Sequence, residues 1–152
     1  VNQARFVTYI TQPSAKDKET ALRMATEGLD LLESLLDPSS PSLAPGLRVK
    51  GCLLLRFGDV GGAVELLERY QIIVQAVPLC ERRVQDKIFA LESLAEAYTN
   101  LERPETQKAY KTLRGCMQLV IEEEMAGNKD EALLARLKVK LERIKLKAKL
   151  PL

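Results

Sequence analysis

The 152-residue chain contains no histidine and no tryptophan, only three cysteines, aromatic residues at 5%, and little excess charge, with 23 basic residues against 21 acidic. Without histidine it lacks the commonest general base, the usual metal ligand and the side chain that titrates near neutrality. That excludes histidine-based triads and histidine-containing zinc sites, and weighs against hydrolytic and redox chemistry. Di-metal sites built from Glu-x-x-His on facing helices fail for the same reason. Cys52, Cys80 and Cys116 are odd in number, have no CxxC spacing and lie in apolar surroundings, the pattern of small buried hydrophobes in a reducing compartment. An intracellular location, cytoplasmic or nuclear, is expected. No apolar run approaches the ~20 residues of a membrane span. Arg69 and Tyr70 break the longest candidate, and no signal-peptide pattern opens the chain. The chain therefore reads as non-enzymatic, with no catalytic residue, metal ligand or cofactor. A domain of this size buries roughly two thirds of the surface its unfolded chain exposes, so 1–152 reads as a single domain without staples. A first residue of Val1, not methionine, leads us to expect a fragment of a longer chain.

What the sequence has in plenty is helical periodicity. Apolar residues recur at three and four, and strict alternation is rare, so the chain reads as all-α with about seven helices. The first spans 2–11, with Phe6, Val7 and Ile10 on one side, and ends before Pro13. The second, 16–36, opens at a Ser14/Asp17 capping box and carries Leu22, Ala25, Leu29, Leu32 and Leu36 as one stripe. Asp37 to Pro45, DPSSPSLAP, holds three prolines and three serines and reads as a mobile connector without helix. Helices at 46–57 and 60–76 are separated by Gly58, with Asp59 as the cap of the second. Gly61 and Gly62 read as close helix-packing positions, because each otherwise costs about 1 kcal/mol against alanine. Helices at 80–101 and 104–125 follow, with Pro104 at the first position of the latter. Gly127 ends that helix, and Asn128 with Glu131 signals a capping box for a terminal helix over 128–149. Alternation at Arg136–Lys140 and Lys145–Leu150 also permits a strand there.

The first six helices fall into pairs, 2–36, 46–76 and 80–125, recurring at the spacing of helical solenoids. In the second pair Gly51, Leu54, Gly58 and Ala63, followed by Leu67, stand at the spacing of the small and large packing residues of a tetratricopeptide repeat of roughly 34 residues. In the third, Leu91, Leu94, Ala95 and Tyr98 match, Glu102 replaces the turn glycine, and Ala109 reaches the second-helix alanine position, otherwise held by Gln107, only if the turn is two residues longer. The first pair offers Ala21 and Gly28. The chain thus resembles the tetratricopeptide-repeat family over residues 14–125, although the 44 residues from Gly51 to Ala95 exceed one repeat.

The resemblance implies a right-handed superhelix of antiparallel helix pairs, an α-solenoid whose concave face, lined by the first helix of each pair, holds a peptide or helix of a partner protein within a larger assembly. Arg48, Cys52, Leu55, Glu92, Glu96 and Thr99 fall on that face, and Gly51, Leu54, Gly58, Ala63, Ala95 and Tyr98 form the repeat packing. The lysine and asparagine clamp that one subtype of the family uses for a C-terminal carboxylate is absent. Arg48 and Cys52 hold its places in the second repeat, and Glu92 and Glu96 hold them in the third. The acidic pair favours a cationic ligand.

Charge is segregated. Val1–Ala76 has 8 basic and 9 acidic residues, Val77–Ala132 has 8 and 11, and Leu133–Leu152 has 7 and 1. Lys138, Lys140, Arg143, Lys145, Lys147 and Lys149, with Arg136, offer an alternative function as an adaptor for nucleic acid or an anionic surface. On the terminal helix Leu137, Leu141, Ile144 and Ala148 share one face, and Val139, Leu146 and Leu150 lie opposite. That second stripe calls for another packing partner: a missing repeat, a second copy of the chain or another subunit. Glu122, Glu123 and Glu124 read as solvated, placed to neutralise lysines across the Gly127 turn. GDVGG at 58–62 is too short for a phosphate loop and lacks its lysine. A further alternative is a helical regulatory domain of an enzyme whose catalytic part lies elsewhere.

Overall fold

The computed structural model describes residues 15–76 and 81–148. It is all-α, with six α-helices, one turn of 3-10 helix and no strand among the described residues. The helices are α1 (Ala15–Leu35), α2 (Ala44–Arg56), α3 (Val60–Gln75), α4 (Glu81–Asn100), α5 (Thr106–Met125) and α6 (Glu131–Ala148). The expected helix at 2–11 and its pairing, Ser14, Cys80, Lys149 and Leu150 lie outside the described residues. Alternation at 136–140 resolves to helix, because Leu137, Leu141 and Ile144 pack at helical spacing.

Each helix packs on the next in sequence, and α2 also touches α4. The core runs from Leu29 of α1 to Ile144 of α6 without a break. Within it, α2 and α3 approach closely as a hairpin. A Cβ at Gly51 would stand 2.9 Å from Leu67 Cγ, and Ala63 opposite is fully buried, so the two backbones meet where the side chains are smallest. α4 is central and buried on nearly every side through Val84, Ile88, Ala90, Leu94, Ala95 and Tyr98.

The turns explain why the pairs form, and correct several expectations. Gly58 takes φ +97°, which closes α2, and the Asp59 carboxylate accepts the Gly62 N–H at 3.0 Å to open α3. Gly62 is small for that cap and not for helix packing, since a Cβ there would meet Asp59 Oδ2 at 2.7 Å, and Gly61 faces open space. Between α1 and α2 the close position is Gly46, where a Cβ would stand 3.2 Å from Leu29 Cδ1, whereas a Cβ at Gly28 would meet nothing within 4 Å.

The connector DPSSPSLAP is not featureless. Asp37 accepts the Ser39 N–H and hydroxyl, Ser40 caps a 3-10 turn at Pro41–Leu43, Leu43 is fully buried, and α2 begins already at Ala44. α5 starts two residues after Pro104, because the Glu105 N–H donates to the Tyr98 carbonyl and lengthens the turn. That longer turn buries Ala109 and leaves Gln107 exposed. Gly127, at φ +100°, ends α5. The cap of α6 is Asp130, whose carboxylate accepts the Leu133 N–H, while Asn128 turns back to Glu123.

Candidate functional site

α2, α4 and α6 share one side of the row, and two troughs open between them. The first, about 590 Å³, lies between α2 and α4 and is lined by Arg48, Val49, Cys52, Leu55, Phe89 and Glu96 among others. The second, about 230 Å³, lies between α4 and α6 over Leu113 of α5, with Glu92, Glu96 and Thr99 on one wall and Lys140, Arg143 and Lys147 on the other. They meet at Glu96. All six residues that the sequence places on the inner face line one trough or the other.

Their availability differs. Glu92 is buried, and its carboxylate accepts both an Nε–H and an Nη–H of Arg136 at 2.9 Å and an Nζ–H of Lys140 at 2.8 Å. Burial raises the Glu92 carboxyl, but the hydrogen bonds from Arg136 and Lys140 outweigh it and hold the group below its ordinary value. The acidic pair expected from Glu92 and Glu96 is therefore not presented to a ligand, and the basis for a cationic ligand falls with it. Glu92 fastens α6 to α4, and Glu96 alone remains exposed as an acid in the troughs. Thr99 donates its hydroxyl to the Ala95 carbonyl within α4. Arg48 stands 3.8 Å from Asp86.

The rim is basic. Arg56 edges the first trough, and Arg136, Lys140, Arg143 and Lys147 form a stripe at helical spacing along α6. In the sequence Lys140, Arg143 and Lys147 read only as part of a general basic surface, and nothing there marks Phe89, Val49 or Ser93. The i, i+4, i+7, i+11 spacing of the α6 stripe was the available signal. Lys138 and Lys145 do not join it. Lys138 is exposed elsewhere, and Lys145 lies against the Tyr110 ring of α5 and beside Glu142.

Neither described cysteine is poised as a nucleophile. Burial raises the Cys52 thiol despite its contact with Ser93 Oγ. Burial first, and the Glu92 charge second, push Cys116 up to about 12. Among the described residues no group of three cysteine or acidic side chains is placed to hold a metal, and no helix is long and apolar enough to cross a membrane. No protein-family model, curated protein or solved structure matches the chain.

Proposed function

We propose that the chain is a non-enzymatic docking module of tetratricopeptide-like design, a right-handed stack of helix pairs whose α2–α4–α6 side holds a peptide or amphipathic helix of another protein within a larger assembly. The observation that supports this reading is the pair of troughs meeting at Glu96, with Phe89 and Val49 exposed on the floor of one and a basic stripe along the wall of the other. Exposed apolar groups rimmed by charge are a common setting for protein contacts. Counting the charged groups of the two troughs together with their partners, Arg48, Arg56, Arg136, Lys140, Arg143 and Lys147 face Asp86, Glu92 and Glu96, so the ligand best matched is apolar with acidic flanks.

The test uses two labelled helical peptides, one Leu/Glu-rich and one Leu/Lys-rich, followed by fluorescence anisotropy. The Leu/Glu peptide is expected to bind at least about tenfold tighter, and Phe89→Ser to weaken it by a further factor of about ten, the loss of a buried aromatic anchor. Equal binding of the two peptides, unaffected by Phe89→Ser, removes the reading.

A further inference from the structure

The ion pairs that fasten α6 to α4 occupy only one end of the trough between these helices. Glu92 meets Arg136 and Lys140, and from there the trough continues to Thr99 and Asn100 on α4 and to Lys147 on α6. The two helices therefore run the same way. Seven residues make about two turns, so Thr99 shares the face of Glu92, while Arg143 and Lys147 share the faces of Arg136 and Lys140. The triad recurs two turns on, with Thr99 in the place of its acid.

The second set is left without a counter-charge. Arg136 with Lys140, and Arg143 with Lys147, are like charges four residues apart, which repel each other on a helix surface. The buried Glu92 carboxylate answers the first pair. Among the described residues neither Arg143 nor Lys147 makes a hydrogen bond or ion pair, and the Thr99 hydroxyl is committed to the Ala95 carbonyl.

The whole trough carries an excess of two positive charges, since Arg136, Lys140, Arg143 and Lys147 stand against Glu92 and Glu96. Its surroundings do not reverse that sign. Glu102 and Arg103, in the adjoining notch beyond Asn100, cancel each other, and residues 149–152 bring one more lysine and no acidic side chain. A carboxylate offsets one charge of the excess. A phosphate monoester carries roughly −1.5 to −2 at neutral pH and offers three acceptor oxygens, enough to meet Arg143, Lys147 and Lys140 together.

We propose that the Thr99–Arg143–Lys147 end of the trough seats a phosphoserine of the docked segment, its phosphate standing to these cations as Glu92 stands to Arg136 and Lys140. The proposal rests on the docking role of the α2–α4–α6 side and makes that docking responsive to phosphorylation of the partner.

Fluorescence anisotropy with the full chain tests it. The probes are the labelled Leu/Glu helical peptide and a set of derivatives in which each glutamate in turn is replaced by phosphoserine. At least one derivative is expected to bind about tenfold tighter than the unphosphorylated peptide, the gain from charge-assisted hydrogen bonds, and to lose that gain as salt is raised. Thr99→Glu supplies an acid from α4 itself, and Arg143→Gln/Lys147→Gln removes the cations. Each variant is expected to bring the phosphorylated and unphosphorylated peptides to within about twofold of each other. All three side chains reach water, so far-UV circular dichroism of the variants should match that of the unsubstituted chain. If every derivative binds within about twofold of the unphosphorylated peptide, or if the preference survives both variants, the proposal is overturned while docking itself stands. Loss of all binding, phosphorylated or not, removes the docking reading and this proposal with it.

Discussion

Two helix contacts within this row are made by different means. α2 meets α3 through the absence of a side chain at Gly51, into which Leu67 fits, beside a fully buried Ala63. α6 is fastened to α4 through three charges, the buried Glu92 carboxylate with Arg136 and Lys140. The first contact is set by volume and is indifferent to pH and salt. The second is set by ionisation. Two of its three charges, Glu92 and Lys140, also line the trough, and under the proposed docking role their pairing removes an acid that would repel an acidic ligand.

Substitution at the steric contact should have the largest effect. Gly51→Val places new carbon where Leu67 already stands, and should destabilise the chain by about 3 kcal/mol. Thermal denaturation followed by circular dichroism should then show a midpoint about 9 °C lower, with no change in its dependence on salt. A melting point within error of the parent would show that α2 and α3 can separate to accept the side chain.

The ionic contact should respond less and differently. Glu92→Ala leaves Arg136 and Lys140 without their partner, but both reach water in part, so a loss of about 2 kcal/mol is expected in urea unfolding at neutral pH. The sign of the pH dependence follows from the direction of the Glu92 shift. A carboxyl held below its unfolded value contributes stability that is present above that unfolded value and lost as pH falls through the folded one. The parent and the Glu92→Ala variant should therefore converge in stability at acid pH. Parallel curves for the two would locate the triad's contribution outside ionisation.

The smallest effect is expected where the two kinds of contact meet. Tyr98 of α4 is buried and donates its hydroxyl to Glu68 of α3; its own ionisation is raised, by burial first and by the Glu68 carboxylate second. Tyr98→Phe keeps the ring and removes the bond, and should cost about 1 kcal/mol by the same unfolding measurement. A loss as large as that of Gly51→Val would show that one hydrogen bond between α3 and α4 restrains the fold as strongly as the close approach of α2 and α3.

How much of this was legible in the sequence depends on the range of the interaction. Asp59 as a cap and Gly58 and Gly127 as helix ends were readable because each acts within one turn of its own backbone. The Asn128 cap was misread because Asp130 competes two residues away, and Asn128 instead bonds back to Glu123. Gly62 was misassigned because a glycine needed by a cap and a glycine needed by a neighbouring helix look alike in one dimension. Glu92 was placed on the correct helix face, but its partners lie 44 and 48 residues away, so nothing local showed that it is neutralised.

By itself the sequence determined the all-helical class, the places where most helices end and the small residues on which α2 and α3 meet, because periodicity, capping and side-chain volume are properties of short stretches of chain. Only the tertiary structure decided which charges stay open to the troughs and which hold the fold. That distinction depends on what stands opposite each side chain, and here the opposing groups of α4 and α6 come from distant parts of the chain.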